Sequence, residues 1–256
     1  MIRAFCSGMW IHVVQFSRNP FDLTGIVIWP ILYASIAYYL LDGKDDPKLL
    51  LASSLGAAVM LMWSLVVIGS SNALENQRWL GTLELLVAAP VPFASVIAPI
   101  TVASGVVGGY AIVATLTWGT LLFNVPLSIA HPLTFAVAVP SCVLAIGMLG
   151  LVMASTFVLY RAAFSLGIAL QYPVWIATGL LVPLSILPAF VGQIGWCLGP
   201  YWGFRAIRDA TLGSASQAWR EIGMCFVVSA VYAVIGSVCL HFFERVARSR
   251  GSLKLT

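Results

Sequence analysis

Groups able to do covalent or metal chemistry are few in this chain, and their spacing assembles no site. The three histidines, His12, His131 and His241, stand far apart. A metal site on a helix needs ligands one turn apart, as in HExxH, and none occurs. Five cysteines, Cys6, Cys142, Cys197, Cys225 and Cys239, lack CxxC spacing, and those inside apolar runs read as packing residues. Ser53-Ser54 and Ser70-Ser71, Gly105 with Gly109, and Gly147 with Gly150 read as small residues that let helices approach. A loop that cradles nucleotide phosphates requires GxxxxGK[ST]. The nearest Gly-Lys pair, Gly43-Lys44, is followed by Asp45, so this chain's own residues do not hydrolyse ATP.

The elements that must position any remaining chemistry are set by composition. Of 256 residues, 61% are hydrophobic and only 9% are charged, against roughly half and a quarter in soluble domains. Mean hydropathy is +0.99. A disordered chain, a soluble enzyme and a nucleic-acid binder are excluded together. The formal net charge of +4 comes from Lys and Arg near the two ends, which speaks about topology and not about a nucleic-acid partner.

The apolar runs divide an all-α chain into six spans. Residues 1–18 form an amphipathic pattern, with Ile2, Phe5, Met9, Val13 and Phe16 opposite Arg3, Ser7, Gln15 and Arg18, as in a helix lying in the interface. Uncharged runs then predict spans over about 23–41, 49–74, 96–123, 133–160, 162–182 and 222–243. Spans three and four separate at Asn124, Pro126, His131 and Pro132, which concentrate turn chemistry. Pro183, Pro188, Gln193 and Gly199-Pro200 interrupt the sequence after span five, so 183–201 reads as a hairpin or partly re-entrant segment. The whole chain, 1–256, is one transmembrane domain.

Basic residues orient it. With a cytoplasmic amino terminus, Arg3, Arg18, Arg78, Arg161, Arg245, Arg248, Arg250 and Lys254 fall inside, and Lys44, Lys48, Arg205, Arg208 and Arg220 outside. Both termini are expected in the cytoplasm. No Asp, Glu, Lys or Arg occupies the centre of a span. Ion-coupled carriers usually need such a group, so the driving energy is expected from elsewhere.

One cytoplasmic connector stands out. Residues 75–92, from Glu75 through Arg78, Gly81, Thr82, Leu83, Glu84 and Pro90 to Pro92, form a short amphipathic stretch closed by prolines. By itself this reads either as a loop resting on lipid headgroups, with Trp79 as a belt aromatic, or as a rigid lever that offers Glu75, Arg78 and Glu84 to a partner. The segment resembles the "E…GTLE.L…P" signature of type-2 ABC (ATP-binding-cassette) exporter permeases, between their second and third spans. The span count, the amphipathic start and the Pro-broken segment resemble the same family. Arg78-Trp79 departs from the denser charge run common there.

The resemblance implies a coupling helix that fits a cleft on a separate cytoplasmic ABC ATPase subunit, with two such subunits in the assembly binding the ATP and Mg; this chain itself would carry no cofactor. It implies a second permease, a copy or a paralogue, in the bacterial cytoplasmic membrane, and a path between the two lined by spans one, two and five. Trp29, Tyr33, Trp63, Asn72, Gln171 and Tyr172 are then candidate lining residues, each equally readable as a bundle contact. Pro183 to Tyr201 becomes an external gate, with Pro183 and Pro188 breaking the helix and Phe190 and Trp196 forming an apolar plug. The expected cargo is an amphiphilic drug, antibiotic, peptide or lipid. A permease for a lipid-linked polysaccharide, an intramembrane enzyme and a non-transporting scaffold remain open.

Overall fold

The structure, a computed structural model, describes residues 7–10, 14, 17–18, 20–39, 47–79, 81, 94–157, 163–180, 184 and 187–250. Its elements are helices: α1 (Pro20–Tyr39), α2 (Pro47–Trp79), α3 (Ala94–Phe123), α4 (Pro132–Phe157), α5 (Ala163–Ala177), α6 (Ala189–Trp196), α7 (Gly199–Leu212) and α8 (Ala215–Arg250). No strand occurs among the described residues. Four stretches are long and apolar enough to cross a membrane, namely Pro47–Val67, Thr101–Phe123, Pro132–Met153 and Ala215–Phe242, and Val27–Tyr39 is a shorter apolar helix. This is the all-α membrane class that the composition demands, since lipid leaves backbone groups only intrahelical partners.

Helix α2 is the centre of the bundle. Its apolar stretch is 72% buried, against 22% for that of α8, and it contacts α1, α3, α4, α5 and α7. The cause lies in its sequence, which presents Leu51, Leu55, Met62, Trp63 and Val66 around much of its circumference, all essentially inaccessible. Helix α8 packs along α4 and α7 and leaves Phe226, Val227, Val231, Val234 and Val238 exposed, the pattern of a helix whose outer face meets acyl chains. Pro30, Pro99, Pro140 and Pro173 lie inside α1, α3, α4 and α5, which spanning helices tolerate because neighbours re-satisfy the freed backbone groups.

Several boundaries differ from those the apolar runs suggest. Helix α2 continues past residue 74 to Trp79, and α8 begins before 222 and continues to Arg250, because a helix keeps its own hydrogen bonds as it leaves hydrocarbon for water. Helix α5 stops at Ala177 and not near 182, where Gly179 turns the chain at φ 76°.

The largest difference lies beyond α5. The stretch expected as one broken hairpin contains α6 and the start of α7, and α7 itself occupies sequence expected as external loop. Helix α7 is amphipathic and buries Tyr201, Phe204, Ala206, Ile207 and Ala210, packing on α4 and α8. Gly199 and Gly203, one turn apart, permit this approach. A Cβ on Gly199 would stand 2.8 Å from the Ala145 carbonyl oxygen, and one on Gly203 would strike the Cys142 Sγ. The expected interfacial helix over 1–18 falls mostly outside the described residues; residues 7–10, 14, 17 and 18 are helical.

Candidate functional site

Helices α1, α2 and α5 converge on an uncharged polar and aromatic cluster. Tyr33 Oη lies 3.4 Å from Ser64 Oγ, and Ser64 Oγ lies 3.2 Å from Gln171 Oε1. Ser64 also reaches back to the Met60 carbonyl at 3.1 Å, the usual way a serine hydroxyl is satisfied within an apolar helix. Trp175, one turn beyond Gln171 on the same face of α5, meets the Tyr33 ring edge-on with centroids 6.2 Å apart and the Tyr172 ring at 5.6 Å. Gln171 and Trp175 are buried, whereas Tyr172 is 57% exposed. The indole N–H groups of Trp63 and Trp175 are buried without an acceptor among the described residues.

The lining residues expected from sequence therefore separate. Tyr33, Gln171 and Tyr172 come together. Trp63 is fully enclosed in the core, and Trp29 lies exposed on α1, its indole folded back over Gly25. Asn72 lies on α2, with its side chain outside the described residues. Ser64 and Trp175 join the cluster without having been singled out. The four-residue step from Gln171 to Trp175 was the available signal.

At the other end of α2, Glu75 and Arg78 occupy its last turns, and Gly81 follows in an exposed turn at φ 67°. That backbone conformation suits glycine, which ends helices readily in the left-handed region. Thr82, Leu83, Glu84 and Pro90 lie outside the described residues.

At the opposite side of the bundle, Pro188 caps the start of α6, and Phe190 and Trp196 are exposed on it. Pro183 lies outside the described residues. Trp196 Nε1 donates to Tyr201 Oη at 3.0 Å, Trp202 Nε1 donates to the Trp196 carbonyl at 2.8 Å, and Tyr232 Oη on α8 donates to the Cys197 carbonyl. The charged groups of this region are organised. Arg205 Nε donates to Glu221 Oε1 at 2.8 Å, and Arg205 Nη1 donates to Tyr201 Oη at 2.7 Å. Arg208 Nε stands 3.5 Å from Asp209 Oδ1. None of these pairs was anticipated, although a carboxylate at the mouth of an apolar run calls for a cation nearby.

The family model described as ABC-2 type transporter matches residues 3–212. The chain belongs to the ABC-2 type transporter family. The match runs through α7 and so takes in the α1–α2–α5 cluster, the connector after α2 and the α6–α7 pair. No curated protein matches the chain. As an ABC-2 type transporter it is a multi-pass membrane protein of a transport permease family, a family that is not catalytic and that normally works with ABC ATPase partners.

Proposed function

We propose that this ABC-2 type transporter is the membrane subunit of an ATP-driven exporter, moving an amphiphilic drug, antibiotic, peptide or lipid out of the cell. Six crossings, α1 to α5 and α8, carry it through the bacterial cytoplasmic membrane with both termini inside. Two separate ATPase chains bind ATP and Mg, and one of them receives residues 75–92 of this chain through Glu75, Arg78 and the Gly81-Thr82-Leu83-Glu84 sequence. A second permease, identical or paralogous, faces α1, α2 and α5 across the path, and the α6–α7 pair forms the outer gate.

The observation that carries this reading is the continuity of α2. It is one helix from Pro47 to Trp79 with no proline inside it, so Ser64 and the start of the connector, with Glu75 and Arg78, lie on a single helix. From Ser64 to Trp79 is roughly 22 Å at the helical rise. A displacement imposed at the connector reaches the Tyr33–Ser64–Gln171 cluster without a hinge between them. A sugar-polymer exporter fits less well. Ring contacts among the described residues form separate groups, Tyr33–Trp175–Tyr172, Tyr38–Tyr39–Phe123 and Trp196–Trp202–Tyr201. A polysaccharide would call for an uninterrupted stacking stripe.

The orientation is tested by Leu80→Cys in a cysteine-free background, probed with an impermeant thiol reagent. Labelling only after the membrane is opened is the expected result. Labelling in intact cells would put the connector on the wrong side for an ATPase.

A further inference from the structure

The cluster between α1, α2 and α5 has a chemical bias that narrows what it can hold. One of its groups is a hydrogen-bond donor left over. The Trp175 indole N–H is buried without an acceptor among the described residues. Gln171 is buried on the same face of α5 and adds an amide to the cluster, its Oε1 accepting from Ser64. A buried donor without a partner is costly, more so in a low-dielectric interior. Ser64 and Tyr33 do not relieve it, because they are turned toward each other and toward the Met60 carbonyl.

The same cluster is flanked by flat π surfaces. Tyr172 is 57% exposed and Trp29 is 47% exposed, so a ring arriving from the bilayer meets aromatic faces before it meets the donors. Sequence supplies the third constraint. No Asp, Glu, Lys or Arg occurs in Val27–Tyr39, in Leu49–Leu74 or in α5. An anionic group would be desolvated there with no cation to receive it, and a cationic group with no carboxylate.

Accepting the exporter reading, we infer that this cluster takes the part of the substrate that is uncharged, planar and unsaturated and that carries a carbonyl-type acceptor. The ring stacks on Tyr172, and the acceptor receives the Trp175 and Gln171 hydrogens. The indole N–H is buried and the Tyr33 ring packs edge-on with the Trp175 ring, so on this inference the acceptor reaches it as α1 and α5 part. Sorting at this site therefore follows acceptor chemistry as well as ring size.

Binding is measured on the purified full chain in lipid nanodiscs, against empty nanodiscs, with two radiolabelled probes of one shape: xanthone, three flat rings with a ring carbonyl, and anthracene, three flat rings without one. The wild type is expected to hold xanthone about threefold to tenfold more tightly, the worth of one or two net hydrogen bonds. Trp175→Phe keeps a ring and deletes the donor, and Gln171→Leu deletes the amide. Each is expected to bring xanthone down toward anthracene while anthracene retention stays at its wild-type level, which also shows that the site is intact. Equal affinity for the two probes, a preference that survives both substitutions, or retention of neither probe above empty nanodiscs overturns the inference. The coupling reading is scored separately, since co-purification of an ATPase does not depend on either side chain.

Discussion

Arg205 and Glu221 tie α7 to α8 through a 2.8 Å contact between Nε and Oε1, while the second carboxylate oxygen of Glu221 stays buried without a partner among the described residues. The pair is asymmetric. The Glu221 side chain is 7% exposed and that of Arg205 is 39% exposed, so the carboxylate depends on the guanidinium far more than the reverse. Tyr201 holds the guanidinium in place from below, with its ring centroid 5.4 Å from Arg205 Cζ.

Removing the cation should accordingly hurt more than removing both charges. Arg205→Met is expected to destabilise the protein by about 1–3 kcal/mol, discounted for the partial exposure of the pair. Glu221→Gln in the same chain should recover most of that loss, because the uncompensated charge is then gone. Thermal midpoints of the single and double variants in detergent check this; a double variant as unstable as the sum of the singles would refute it.

The Gly203 contact with α4 gives a second expectation. With a Cβ striking Cys142 Sγ, Gly203→Ala should cost about 1–3 kcal/mol through overpacking. Gly192→Ala, on the neighbouring α6 with nothing within 4 Å, should change stability little. The same thermal measurement separates them, and equal midpoints would mean that α7 does not press on α4 as described.

The α6–α7 region is also where sequence was least informative. Pro188, Gln193 and Gly199-Pro200 read as breaks, but Gln193 lies within α6, Pro188 immediately precedes it, and Gly199-Pro200 opens α7. The α7 pattern of Tyr201, Phe204 and Ile207 at helical steps was present, masked by Arg205, Arg208 and Asp209, whose charges suggested an aqueous loop. By contrast the uncharged runs locate α1, α2, α3, α4 and α8, although α2 and α8 extend past theirs, because hydrocarbon selects apolar side chains around the whole circumference. Within the cluster, Gln171 and Tyr172 stood out as an amide and a phenol in an apolar run. Ser64 did not, since a lone serine in a spanning helix is ordinarily satisfied by its own backbone.

Ser64 sits at the junction of the cluster, so Ser64→Ala should loosen it at modest cost. The loss of its contacts with Tyr33 and Gln171 is expected to lower stability by about 1 kcal/mol. Ser64→Thr, which keeps the hydroxyl, should restore most of it. Alanine and threonine variants of identical stability would remove Ser64 from the account.

The connector after α2 carries the claim on which the rest of the function depends. Affinity purification of the full chain from its own membranes, followed by an assay for Mg-dependent ATP hydrolysis in the eluate, tests it directly. The wild type should bring down the activity, and Glu84→Arg, which inserts into the membrane normally, should lose most of it. Hydrolysis that co-purifies equally with both, or with neither, would contradict a permease driven through residues 75–92.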